Sequence, residues 1–112
     1  GYAETSSHAE VVGFVDTLAR LAPGVLRVQT LGASPEGRRL PLVVASRPAV
    51  ATPEEARRLG RPVVYVQANI HAGEVEGKEA VQALLRDLAL GPAPNALDSL
   101  VLLAVPIYNA DG

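Results

Sequence analysis

The sequence predicts a three-layer α/β/α domain built on a mixed, mostly parallel sheet. Three observations carry that prediction. Two apolar stretches, Val63 to Val66 and Leu100 to Val105, lack polar alternation, as strands covered on both faces do. Between them, Val81, Leu84, Leu85 and Leu88 recur at helical spacing, so strand, helix and strand form a right-handed parallel crossover. Upstream, Leu26, Val28 and Thr30 alternate with Arg27 and Gln29, the period-two mark of a half-buried strand. The order helix, hairpin, strand, helix, strand suits helices packed on a sheet.

Taken in order, Ser7-His8-Ala9-Glu10 matches a capping box, in which a serine side chain and a glutamate satisfy backbone N–H groups reciprocally. Val11, Phe14, Val15, Leu18 and Leu21 then give one apolar helix face, and Pro23-Gly24 ends it. Ser34-Pro35-Glu36-Gly37 is a turn with proline where its fixed φ is already correct. Leu40 to Ala45 is a second strand, antiparallel to the first because the connection is short. Pro48 to Gly60 is a loop with a short helix at Pro53 to Leu59, where proline and Glu54-Glu55 suit a first turn. Val63 to Val66 is a strand, with Tyr65 expected in the core. After the helix that follows, Gly91-Pro92-Ala93-Pro94-Asn95 is a breaker, and Leu100 to Val105 ends at Pro106.

Composition narrows the function classes. A chain of 112 residues, 48% apolar and 20% charged, is one globular domain with a modest core. Its net charge of −2 gives no electrostatic case for nucleic acid or an anionic membrane surface. Without cysteine there is no disulfide framework, zinc finger or thiol nucleophile. The apolar runs are too short to span a bilayer, and the first ten residues lack signal-peptide character. No methionine occurs, even at the start, which reads as a trimmed product.

Chemistry concentrates at two strand ends. Asn69, His71 and Glu74 follow the first apolar run; Tyr108, Asn109 and Asp111 follow the second. Parallel strands bring their carboxyl ends to one edge, where open α/β sheets place ligands. An imidazole and a carboxylate three residues apart suit Zn²⁺, which takes nitrogen and oxygen ligands in catalytic sites. The same residues also serve a turn and a helix start, since glutamate in a first turn is favoured by the helix dipole alone. Gly73 between them permits unusual backbone geometry, and Gly77 permits close helix packing. Asn109-Ala110-Asp111-Gly112 is more simply a type I turn than a ligand set. His8 reads as an exposed helix residue, Arg38-Arg39 as a solvated pair, and Lys78 and Glu79 as surface residues. No glycine-rich phosphate loop or serine nucleophile elbow is present.

Together these residues resemble the zinc metallocarboxypeptidases, the carboxypeptidase A-like family. Pro62 to Ile70 followed by His71-Ala72-Gly73-Glu74 is similar to that family's strand and H-x-x-E zinc motif. Leu100 to Ile107 followed by Asn109-Ala110-Asp111-Gly112 is similar to its buried strand ending in N-P-D-G, with Ala110 in place of proline. Gly32 to Arg38 is similar to its hairpin turn, G-x-S-x-x-G-R.

The resemblance implies the phosphorylase/hydrolase-like carboxypeptidase fold, here truncated, with residues 1–112 as the N-terminal portion of a single catalytic domain. It implies a Zn²⁺ cofactor with His71 and Glu74 as ligands, and a peptide or protein C-terminus as substrate. The third ligand (a histidine), the Asn-Arg pair that grips the substrate carboxylate, a tyrosine and the glutamate general base are implied downstream. No catalytic residue is therefore assigned within this chain, which is expected to be inactive alone. Gly1 to Thr5 resemble the start of the catalytic domain in larger, often exported, bacterial members, implying a secreted or periplasmic origin. Two other functions fit the same motif: an aspartoacylase or succinylglutamate desuccinylase-like amidohydrolase, and a non-catalytic carboxypeptidase-like binding domain. If the complete sheet continues, this chain would expose an apolar surface and an open edge that favour self-association.

Overall fold

A computed structural model of the chain describes residues 8–68 and 75–107, with the side chains of 75–78 left out of the description. Eight segments appear in order. These are helix α1 (His8–Leu21), strands β1 (Leu26–Ala33) and β2 (Arg39–Ala45), helix α2 (Pro53–Leu59), strand β3 (Val63–Gln67), helix α3 (Val75–Leu90), a 3₁₀ turn (Ala96–Asp98) and strand β4 (Val101–Val105).

The strands form one sheet in the order β1-β2-β4-β3. β1 and β2 pair antiparallel, and β2 pairs antiparallel with β4 through Val43↔Ala104, Val44↔Leu103 and Ala45↔Leu102. β3 pairs parallel with β4, from Val63↔Val101 to Gln67↔Val105. The sheet is thus mixed, as the sequence predicts. Its parallel share among the described residues is smaller than predicted, because the hairpin contributes two antiparallel strands and docks through β2.

The hairpin runs further than the side-chain alternation suggests. A bulge at Leu31, between Thr30 and Gly32, shifts the register and lets β1 continue to Ala33. At the turn, Gly37 donates to the Ser34 carbonyl at 2.8 Å, and Ser34 donates to the Arg38 carbonyl at 2.8 Å. Gly37 sits at φ 85, a left-handed conformation that glycine adopts without steric cost.

Alternating sheet residues feed two cores. On one face, Val43, Ala45, Leu102 and Ala104 pack with Val15 and Leu18 of α1 and with Val81 and Leu85 of α3. On the other, Val44, Val101, Leu42 and Leu103 pack with Val50 and with Ala56 and Leu59 of α2. The second cover is thin, since α2 has no fully buried residue. It is held by its ends: Thr52 Oγ1 accepts from Glu55 N at 3.1 Å, and Gly60 closes it at φ 66.

β3 departs from expectation. The sequence predicts a strand covered on both faces, with Tyr65 in the core. Instead Val63, Val64 and Tyr65 are 55%, 40% and 50% exposed, and the Tyr65 hydroxyl donates to Gln67 Oε1. The reason is position. Among the described residues β3 is an edge strand whose only sheet neighbour is β4, and α2 covers little of its outer face.

α3 ends at Gly91, whose N–H donates to the Asp87 carbonyl at 3.0 Å. A Cβ added there would overlap that same backbone oxygen, which cannot swing aside as a side chain could. Gly91→Ala is therefore expected to cost more than about 1 kcal/mol, lowering Tm by roughly 4 °C or more. Thermal unfolding followed by circular dichroism checks this, and an unchanged Tm would contradict it.

Candidate functional site

The parallel pair sets the level of the site. β3 and β4 stay in register to Gln67↔Val105, and Ala68 N donates to the Val105 carbonyl at 3.0 Å, one step past the strands. Ala68, Val105, Pro106 and Ile107 are all buried, so both chains reach this edge through packed backbone. In sequence, Asn69 follows Ala68, His71 lies three residues on, Glu74 directly precedes α3, and Tyr108 follows Ile107. His71 and Glu74 lie outside the described residues, as do Asn69, Tyr108, Asn109 and Asp111. What the structure supplies is the pair of strand ends from which they depart.

The opposite edge explains why those strand ends are level. Arg61, just before β3, donates to the carbonyls of Arg47 at 2.7 Å and Leu97 at 3.2 Å, and to Ser46 Oγ at 3.3 Å. Arg47 N donates to the Leu97 carbonyl at 2.7 Å, and Arg47 Nη1 meets Asp98 Oδ2 at 2.6 Å. Asp98 Oδ2 also accepts from Asn95 N at 2.8 Å, while Asn95 Oδ1 accepts from Leu97 N at 2.9 Å. This capping box fixes the turn before β4. Val101 N then donates to the Pro62 carbonyl at 2.9 Å, starting the parallel ladder. Two guanidinium groups thus tie the end of β2 and the start of β3 to the turn before β4.

Because β2 runs antiparallel to β4, its amino end and the hairpin turn lie on the same side of the sheet as the carboxyl ends of β3 and β4. There the expected solvated pair is engaged. Arg39 Nη2 meets both oxygens of Asp16, at 3.1 and 3.3 Å, and Arg38 pairs with Glu36 at 2.6 Å. His8 is half-buried rather than exposed, with Nε2 2.6 Å from the Arg39 carbonyl. A carbonyl can only accept, so Nε2 carries the proton. Both contacts fasten α1 to the start of β2, which accounts for His8 structurally.

Among the described residues, no group of three or more His, Cys, Asp or Glu converges, and no helix is long and apolar enough to cross a membrane. Sequence reasoning missed the Arg47–Arg61–Asp98 tie. Its one local signal is Asn95 with Asp98 three residues on, a capping-box spacing inside what reads as a plain breaker.

Comparison with known proteins gives a consistent picture. The sequence model of a family described as zinc carboxypeptidase matches residues 11–112. A probable carboxypeptidase 2 of Trichophyton verrucosum is 34% identical over 104 residues, covering 89% of this chain and 19% of the relative. Carboxypeptidase 2 of Trichophyton rubrum is 30% identical over 102 residues, again covering 89% and 19%. The chain therefore spans about a fifth of the length of the curated relatives it matches. Among solved structures, carboxypeptidase A from Helicoverpa armigera superposes with a TM-score of 0.82 at 24% identity, over 100% of this chain and 26% of that one. Bovine thrombin-activatable fibrinolysis inhibitor, in complex with tick carboxypeptidase inhibitor, gives 0.79 at 16% identity, over 96% and 32%. At such identities the likeness is one of fold.

Proposed function

Since the chain belongs to the zinc carboxypeptidase family, we propose that it forms the N-terminal part of a catalytic domain that hydrolyses C-terminal peptide bonds, with His71 and Glu74 as two zinc ligands. The observation that carries this reading is the H-x-x-E spacing in the sequence between β3 and α3, following a strand whose carboxyl end is level with that of its parallel partner β4. The donor set fits the metal: a neutral imidazole nitrogen and a carboxylate are ligands Zn²⁺ takes in catalytic sites.

A zinc ion held by His71 and Glu74 would supply Lewis-acid polarisation of the scissile carbonyl and acidification of a water. The chain's own contribution is placement. In the sequence, β3 and α3 flank the segment bearing both donors. His71 must be neutral at one ring nitrogen to donate a lone pair, and Glu74 ionised. By resemblance, the third ligand, the substrate clamp and the general base come from residues outside these 112. The isolated chain is accordingly expected to show no peptide hydrolysis above background, and robust turnover by it would refute the division of labour.

A substrate panel on the full-length protein tests the reading. Release of C-terminal residues from peptides is the expected result. A preference for N-acyl amino acids would move the assignment to the aspartoacylase-like amidohydrolases. Retained fold with no hydrolysis of either class would favour a non-catalytic binding domain. The resemblance of Gly1 to Thr5 to exported members supports a secreted or periplasmic location, which fractionation of the source cells would check.

The self-association expected from the sequence now has a specific basis. β3 reads Val-Val-Tyr-Val-Gln, with no charge or proline to blunt the edge it forms among the described residues, and three of its side chains are well exposed. A five-residue edge is far short of the roughly 20–30 residues per side of a stable interface. The 112-residue chain is therefore expected to associate weakly, with apparent mass rising with concentration in light scattering, and Val64→Lys to suppress the rise. A mass independent of concentration would count against it.

A further inference from the structure

We draw no further inference here: the strongest candidate, the apolar cavity of about 480 Å³ between α2 and the sheet, carries nothing because nothing in the structure shows what fills it and its polar lining groups Gln29, Thr52, Arg57 and Arg61 are already hydrogen-bonded or ion-paired within the chain.

Discussion

In the full-length protein, His71→Ala is expected to weaken zinc binding by more than about 100-fold and to reduce peptide hydrolysis to background. The magnitude follows from comparison: losing a residue that merely orients a metal ligand costs ~10–100-fold in affinity or activity, and a direct ligand must cost more. Glu74→Gln makes the sharper test, since it keeps side-chain size and removes the charge. If Glu74 serves only the α3 start, its replacement loses about 0.3–1 kcal/mol of helix-dipole interaction and zinc content stays unchanged. If it binds metal, zinc content falls while far-ultraviolet circular dichroism holds. Elemental analysis after dialysis against a weak chelator, alongside a melting curve, separates the outcomes. Full zinc stoichiometry in both variants would end the ligand assignment.

Leu97→Ala is expected to be the most damaging simple truncation among the described residues, at about 2–5 kcal/mol. Leu97 is fully buried and belongs to the core shared by α1, α3 and the sheet. It also sits in the 3₁₀ turn whose carbonyl receives both the Arg47 N–H and the Arg61 guanidinium. A cavity there loosens the tie as well as the packing. Against a total stability of about 5–15 kcal/mol, that loss could leave a substantial unfolded fraction. Leu21→Ala is the control: Leu21 is 65% exposed, and its truncation is expected to stay within about 0.5 kcal/mol. Urea titrations of both variants measure the contrast, and equal midpoints would show that the Leu97 site collapses without cost.

Much of this fold is legible in the sequence, for identifiable reasons. α2 is legible at Pro53–Leu59 because its signals are local: proline and two acids in the first turn. The β1–β2 hairpin follows from alternation on either side of Ser34–Gly37, and the β3–α3–β4 crossover from two apolar runs flanking a helical stripe. The bulge at Leu31 was not legible, since one extra residue changes pairing without changing composition. The burial of β3 was misread for a deeper reason. A run without polar alternation tells what a strand is suited to be covered by, and cover must come from elsewhere in space.

The proposed site rests on a different kind of signal. His71 and Glu74 rest on a four-residue spacing, and the structure adds the strand ends on which that spacing depends rather than the side chains themselves. The long-range tie through Arg47, Arg61 and Asp98 leaves no sequence signal beyond its local Asn95–Asp98 box, because its partners are separated by 14 to 51 residues. Only the fold brings them together. Arg38 and Arg39 show the same limit: adjacent in sequence, one bonds within the turn and the other reaches across to Asp16.

The strand order has a consequence for how the chain can acquire its shape during synthesis. β4 is the last described strand to be made, yet it lies between the hairpin and β3. Until residues 101–105 leave the ribosome, β2 lacks one neighbour and β3 lacks its only one among the described residues. The nascent chain therefore carries an unpaired Val-Val-Tyr-Val-Gln segment through the whole of α3's synthesis. That interval, rather than the finished sheet, is when the polypeptide is most open to wrong partners.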